Sequence, residues 1–385
     1  MNIRGFDDKS YDDNKFNSLP CLHFSIKHVW SLKNNPLCGI CFLPWLEILQ
    51  RHCLKIESKY YFRVGFITAL AIFNSLLGFI ETLLYSREID SVELCDDPIF
   101  IIGHPRTGTT LVHNLLCSDE ESFFFCTTFC AGFPSSFLWF ENIGKYIFST
   151  VIEKTRPMDS MPLHFDLPQE DECATNILSG GKSYYMPLWF MQQEPLFRRY
   201  LDFSDADGGT KQDEDDWARS FLYLMKKISL RERKSNRNKI ESSPRRLLIK
   251  SPVHTGRVPL LRKLFPKAKF LYIHRNPYEV LASAAHMADT AYWFCYLNTP
   301  TDEQVTEFIF WQFEALWTKY NSAAMIHADQ CWQPLSSPGE RFRRLMPDVL
   351  EISYFDITTR PQEVLQHMYQ HIGAYSCPMY ATCMY

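Results

Sequence analysis

The stretch IIGHPRTGTT, residues 101–110, joins an apolar run to a glycine-bearing turn and then to a helical pattern. Upstream, the run PIFII (98–102) fits a strand buried on both faces of a parallel sheet. Downstream, Thr109 to Cys117 has the spacing of a helix. A glycine-rich turn in that setting aims the backbone N–H groups of the turn and of the helix N-terminus at one point, which makes an anion site. Gly108 lets the backbone come close without a Cβ. Thr109 and Thr110 add hydroxyl donors at the helix start.

Against the nucleotide-phosphate pattern G-x-x-x-x-G-K-[ST], Gly103, Gly108 and Thr110 match, but Thr109 stands where the lysine should be. That lysine reaches the outer phosphates of a nucleoside triphosphate, so its loss argues against ATP or GTP hydrolysis. The later apolar runs agree. Leu247 to Ile249 leads into Lys250, and Lys269 to Ile273 leads into His274 and Arg275. An ATPase would carry a magnesium-holding carboxylate at such a strand end. The sequence therefore predicts an anion neutralised by side chains, with no metal.

Working outward, Asn276 and Pro277 form a good helix start, predicting a helix to about Met287. Val349 to Tyr354 is a fourth strand candidate. Strands alternating with helices predict an α/β sheet. The acidic stretch Asp202 to Asp216 reads as a surface loop. The basic stretch Lys226 to Arg246 reads as a solvated helix end and loop, or as a steering patch for an anionic ligand.

A net charge of −4 over 385 residues gives no general pull toward nucleic acid or anionic membrane, so the anion site must be built locally. The 13 cysteines are scattered through a long chain, unlike a disulfide scaffold, and weakly favour a reducing compartment. Cys38 and Cys41 form a C-x-x-C with no second pair to complete a zinc ribbon.

Residues 1–95 read as a helical N-terminal region, and 96–385 as the α/β domain. Met1 to Lys15 is polar and acidic, unlike a cleaved signal peptide. Trp45 to Tyr61 is expected to form one amphipathic helix. Val64 to Ile80 is uncharged and borderline for a membrane span. Lys55, Lys59 and Arg63 before it and Glu81 after it would keep the N-terminus cytosolic if it crossed. Two placements stay open: a cytoplasmic enzyme whose residues 62–85 are buried or lie on a membrane, and a spanning segment that puts the domain in the Golgi lumen.

The segment GHPRTGTTLVHNLL (103–116) resembles the phosphate loop of PAPS-dependent sulfotransferases, PAPS being 3′-phosphoadenosine 5′-phosphosulfate. Further similar segments follow in order: RPMD (156–159), PQEDE (168–172), LLIKSPVHTGRVPLL (247–261), FPKAKFLYIHRNPYEVLAS (265–283) and EISYFDITTRPQEVL (351–365). The resemblance covers roughly residues 60–373. It implies a three-layer, P-loop-like α/β fold with a central parallel sheet. It implies PAPS as donor, no metal, and a hydroxyl or amine acceptor that is a small molecule, carbohydrate or lipid.

By that resemblance Pro105, Arg106, Thr107, Gly108, Thr109 and Thr110 would hold the 5′-phosphosulfate, and Arg275 and Ser283 the 3′-phosphate. An arginine at a strand end can grip phosphate bidentately. Arg106 and Lys250 are the cations expected at the transition state. The base stays open between His254, which titrates near neutrality, and Glu170 or Glu172. His104 and His113 read as packing or hydrogen-bonding residues. Tyr184, Tyr185, Trp189, Phe190, Tyr292, Trp293 and Phe294 line either an acceptor pocket or the core.

Two departures stand out. Phe355 occupies a position that is usually acidic in the family, and only twelve residues follow Gly373, where relatives continue over the nucleotide. A non-catalytic nucleotide-binding relative, or a P-loop kinase or NTPase, are the alternatives.

Overall fold

Five apolar runs become five parallel strands: β1 (Ile99–Gly103), β2 (Phe123–Phe125), β3 (Arg246–Lys250), β4 (Lys269–His274) and β5 (Val349–Ser353), in the order β2-β3-β1-β4-β5. The computed structural model describes residues 24, 26–51, 55–148, 152–235, 245–325 and 346–374. The expectations for 1–15 and 375–385 lie outside the described residues. The helices are α1 (Phe42–Arg51), α2 (Tyr61–Asp90), α3 (Thr109–Cys117), α4 (Thr128–Gly132), α5 (Phe137–Phe148), α6 (Asp171–Leu178), α7 (Lys211–Ser235), α8 (Val258–Leu264), α9 (Pro277–Thr290), α10 (Asp302–Met325), α11 (Tyr354–Thr359) and α12 (Pro361–Ile372).

The central strands β3, β1 and β4 read as apolar runs because both faces of the sheet are covered there, while β5 at the edge carries the half-buried Glu351. Alternate side chains go to opposite faces. Ile99, Ile101, Leu248, Leu271, Ile273 and Ile352 pack with α3 and α12. Phe100, Ile102, Leu247, Ile249, Phe270 and Tyr272 join the larger core on the other face. That core also takes in Leu37, Ile40, Trp45, Ile48, Ile67, Ala71 and Leu77, so the N-terminal helices pack into the same interior as the sheet.

Several expectations are corrected here. Trp45 to Tyr61 is not one helix: α1 ends at Arg51, and residues 55–57 are non-helical before a short 3₁₀ turn, Ser58–Tyr60, leads into α2. Asp202 to Asp216 is not a loop throughout, because α7 begins at Lys211 and its first-turn acids suit a helix N-terminus. The strand β2 went unread because three phenylalanines give no alternation to detect. The Lys226–Arg246 stretch is not simply solvated: Lys227 is fully buried, while residues 236–244 lie outside the described ones.

Val64 to Ile80 falls inside α2, and the surroundings of that helix argue against a free-standing span. One stripe (Arg63, Ile67, Ala71, Asn74, Leu77, Glu81) is buried against the body. Asn74 donates to the carbonyls of Cys38 (2.7 Å) and Ile40 (3.2 Å). Arg63 donates to the carbonyl of His28 at 2.8 Å. Glu81 accepts from the Leu138 N–H at 2.7 Å and pairs with Lys227. A helix so fastened through polar groups is part of the folded body, and a Golgi-lumen placement that depends on its crossing a membrane has no support.

Candidate active site

In a parallel sheet, ligands bind beyond the carboxyl ends of the strands, where the order reverses. Here that point is β1, flanked by β3 and β4. The register places Ile101 beside Lys250 and Gly103 beside Ile273, so the phosphate turn, the Lys250 strand end and the Arg275 corner open onto one edge.

The turn is held rigidly. The Thr255 hydroxyl accepts from the Gly103 N–H (2.7 Å) and donates to the Gly103 carbonyl (3.1 Å). Arg106 sits at φ 74°, an uncommon conformation for a side-chain-bearing residue, of a kind that clusters at ligand sites. Gly108 has φ 101° and caps α3. A Cβ on it would lie 2.4 Å from the Tyr354 ring, so both the backbone conformation and the space demand glycine. The first N–H groups of α3 have no partner within the helix, as at any helix start.

Tyr354 also lies under Arg275, whose guanidinium is 4.4 Å from the ring centre. Arg275 Nη1 is 3.5 Å from the Arg106 carbonyl oxygen and its Nε pairs with Glu279 at 2.7 Å. Arg106 Nε donates to Ser283 Oγ at 2.9 Å. The glycine turn and the arginine corner therefore share one cleft. A cavity of about 440 Å³ opens behind the turn, lined by Thr107, Tyr272, Arg275, Phe313, Trp317 and Glu351.

At the other end of the cleft, Lys250 Nζ donates to Thr110 Oγ1 (3.1 Å) and to Glu170 Oε1 (2.6 Å). Glu170 also accepts from the Tyr185 hydroxyl, which lies 3.0 Å from Ser251 Oγ. Burial pushes the Glu170 carboxyl up, but Lys250, Tyr185 and Arg156 together outweigh it and hold the group below the usual carboxylate range. Glu170 stays ionised at neutral pH.

The other predicted residues are dispersed. His254 lies in the interior and not at the cleft: its Nε2 is 2.8 Å from Asp171 Oδ2, and its ring packs among Phe100, Trp217 and Phe221. Glu172 is enclosed too, its carboxylate accepting from Ser183 (2.5 Å), Trp217 (3.2 Å) and Arg257 (2.7 Å). Asp171, Glu172 and His254 bring their ligand atoms within 4.8 Å, a spacing a metal ion could use, but Arg257 already supplies a cation to that cluster. His104 donates to the Pro105 carbonyl at 2.6 Å; burial lowers its pKa to about 4. His113 is also held well below the ordinary imidazole range, first by burial and then by Lys250. Both imidazoles are neutral at pH 7.

Among the aromatics, Tyr185 reaches the site. Tyr184 binds Glu194 (2.8 Å), Trp189 binds Asn35 (3.0 Å), and Phe190, Trp293 and Phe294 are buried. Cys38 and Cys41 are free thiols. Phe355, at the departure from the acidic pattern, is 70% exposed. Sequence reasoning missed the roles of Ser251, Arg156 and Asp159. Ser251 had the signal of adjoining Lys250, and Arg156 and Asp159 begin and end the RPMD segment, whose nearness to the turn only folding reveals.

A parallel α/β sheet whose carboxyl edge gathers a glycine turn, two arginines and a lysine–carboxylate pair defines a transferase of anionic groups with a P-loop-like fold. The chain belongs to the sulfotransferase family, whose profile matches residues 98–375. It is 29% identical over 336 residues to the omega-hydroxy-beta-dihydromenaquinone-9 sulfotransferase Stf3 of Mycobacterium bovis, covering 87% of this chain and 78% of that protein. The Mycobacterium tuberculosis protein of that name matches to the same extent. Among solved structures it resembles the sulfotransferase STF1 of Mycobacterium tuberculosis (TM-score 0.55, 15% identity, 87% of this chain and 82% of the other). It also resembles STF9 of Mycobacterium avium (TM-score 0.52, 15% identity, 88% and 85%).

Proposed function

We propose that this protein moves a sulfuryl group from PAPS to a hydroxyl group of a lipid-like acceptor. The observation that carries the reading is Lys250, which reaches Thr110 of the phosphate turn and the Glu170 carboxylate at once. Arg106 and the turn from Pro105 to Thr110 would hold the 5′-phosphosulfate, with Arg275 and Ser283 on the 3′-phosphate. The Arg106–Ser283 hydrogen bond supports a single ligand spanning both. Lys250 would neutralise charge on the oxygen that leaves with the phosphate, and Glu170 would take the acceptor proton. Of the candidate bases, Glu170 is the one beside the turn; His254 Nε2 is held by Asp171 and Glu172 by Arg257, both in the interior. Positioning and fixed charge then supply most of the rate, as in phosphoryl transfer.

The donor reading is tested by thermal unfolding and by transfer of label. Adenosine 3′,5′-bisphosphate is expected to stabilise the protein, by about 2.7 kcal/mol at a hundredfold excess over Kd. ATP with magnesium is expected not to. Radiolabelled PAPS with a total lipid extract in detergent micelles should give labelled lipid. Stabilisation by ATP with magnesium alone would move the protein to the kinase or NTPase class. Bisphosphate binding with no transfer to any acceptor would make it a non-catalytic relative.

The lipid acceptor and its approach rest on the outer face of α2. From Tyr61 to Leu84 every exposed residue of that helix is uncharged, and Phe62, Ile72, Leu76, Phe79, Leu83 and Leu84 are among them. The span is about 36 Å long at 1.5 Å per residue. Trp30 lies beside Phe62 at one end, the two rings tilted at 54° with centres 6.5 Å apart, and aromatic residues are enriched at a lipid headgroup level. With the opposite stripe locked into the body, α2 would lie in the membrane interface, which suits an acceptor that resides there. Leu76→Glu together with Phe79→Glu is expected to abolish flotation with phosphatidylcholine–phosphatidylglycerol vesicles while leaving the unfolding temperature unchanged. Undiminished flotation of the double variant would remove α2 from the membrane contact.

A further inference from the structure

Arg156 lies on a tight turn closed by the bonds Arg156 N–H to Met161 carbonyl (2.9 Å) and Ser160 N–H to Arg156 carbonyl (3.0 Å), and by the bridge between Thr155 and Pro162. No strand or helix of the sheet carries it, yet the turn delivers its side chain to the phosphate loop. Arg156 Nη1 is 3.4 Å from Thr110 Oγ1, the hydroxyl that Lys250 Nζ also reaches at 3.1 Å. Its Nε is 3.4 Å from Asp159 Oδ1. The other oxygen of Asp159 takes Arg106 Nη1 at 2.9 Å. Arg156 is only 20% exposed, and its charge is one of the influences that hold the Glu170 carboxyl low.

Lys250 and Arg156 thus meet on one hydroxyl, Thr110 Oγ1, while Arg106 is joined to Arg156 through Asp159 and Glu170 pairs with Lys250. Arg106 and Lys250 have roles in the donor reading above. Arg156 does not, although it touches the same atom as Lys250. A structural arginine tying a surface turn would need only Asp159; the second contact, to Thr110, puts a partly desolvated positive charge where the sulfuryl group would sit.

We propose that Arg156 is a third catalytic cation, binding the outer oxygens of the sulfuryl group in flight, and that Asp159 is the positioning residue aiming Arg156 and Arg106. The proposal rests on the PAPS reading. In the transfer, the S–O bond to the phosphate breaks with its electron pair left on the phosphate oxygen. A new S–O bond forms to the acceptor oxygen, whose proton goes to Glu170. Lys250 serves the leaving oxygen. The three outer oxygens need a separate donor that is charged and planar, which a guanidinium provides.

The test uses the full-length protein with Arg156→Ala, Arg156→Lys and Asp159→Asn, measuring kcat and KM for radiolabelled PAPS and Kd for adenosine 3′,5′-bisphosphate. That bisphosphate lacks the sulfuryl group. Arg156→Ala is expected to lower kcat by about 10²-fold while Kd for the bisphosphate changes by less than about threefold. A lysine keeps the charge but not the fork, so Arg156→Lys should recover roughly tenfold of that loss. Asp159→Asn should lower kcat by more than it weakens bisphosphate binding, because Arg106 loses the same partner. If Arg156→Ala does not fold, the lysine variant decides, with about a tenfold fall expected. Unchanged kcat in a folded Arg156 variant overturns the proposal. So does a fall in kcat matched by an equal loss of bisphosphate affinity, which would make Arg156 a donor-gripping residue. Wild-type protein that transfers no label sinks the PAPS reading itself; normal wild-type turnover with unimpaired Arg156 variants sinks this proposal alone.

Discussion

Lys250→Ala is expected to lower sulfuryl transfer by about 10³-fold, equivalent to about 4 kcal/mol of transition-state stabilisation, with the protein still folded and still binding adenosine 3′,5′-bisphosphate. Two effects add. The substitution removes the cation that bonds Thr110, and it takes from Glu170 its 2.6 Å partner. In the wild type, Lys250 leads the influences that overcome burial and keep the Glu170 carboxyl below its ordinary value of 4.5. The sign of the pH effect follows. The acid limb of kcat/KM should lie below pH 4.5 in the wild type and move to higher pH in Lys250→Ala, because loss of a neighbouring cation disfavours the carboxylate. Glu170→Gln should cost about 10²–10⁴-fold and abolish that acid limb. Activity within threefold of wild type for either variant would remove that residue from the chemistry.

The second large effect concerns stability. Lys227→Met is expected to destabilise the fold by about 3–5 kcal/mol, read from urea unfolding. Lys227 and Glu81 are both fully buried and paired, and Lys227 also donates to the Pro134 carbonyl. Burial pushes the Lys227 ammonium down and the Glu81 carboxyl up, each partly offset by the other. Removing one partner strands the other charge inside. The double substitution Lys227→Met with Glu81→Gln removes both charges while keeping an acceptor for the Leu138 N–H, and should recover most of the loss. Costs that simply add would show that the two residues act independently. Recovery would establish that α2 is fastened to α7 as one folded unit, which is the basis for reading its other face as a membrane-lying surface.

How much the sequence disclosed depended on range. The phosphate turn was legible because its parts are contiguous: strand, Gly103, Gly108 and helix follow one another, and local geometry follows from local sequence. The helix bounds Thr109 to Cys117 and the cap at Asn276 are of the same kind, with Asn276 accepting from Tyr278 N–H at 3.0 Å. The choice among His254, Glu170 and Glu172 was not legible. His254 is four residues from Lys250 while Glu170 and Glu172 lie in a separate segment, and only packing turns His254 onto Asp171, Glu172 onto Arg257 and Glu170 onto Lys250. The surface exposure of α2 was equally hidden, since an uncharged run of residues reads the same whether buried, spanning or lying on a membrane.

By itself the sequence determined four of the five strands, the anion-binding turn and the cations at the strand ends, because each follows from the spacing of neighbouring residues. Tertiary structure alone decided which carboxylate faces Lys250, that Arg156 and Asp159 reach the turn from a loop some fifty residues away in the chain, and that Glu81 is a buried partner and not a boundary charge. Those facts depend on contacts closed across long loops, whose geometry is set by the packing of the whole core and leaves no periodic mark in the chain.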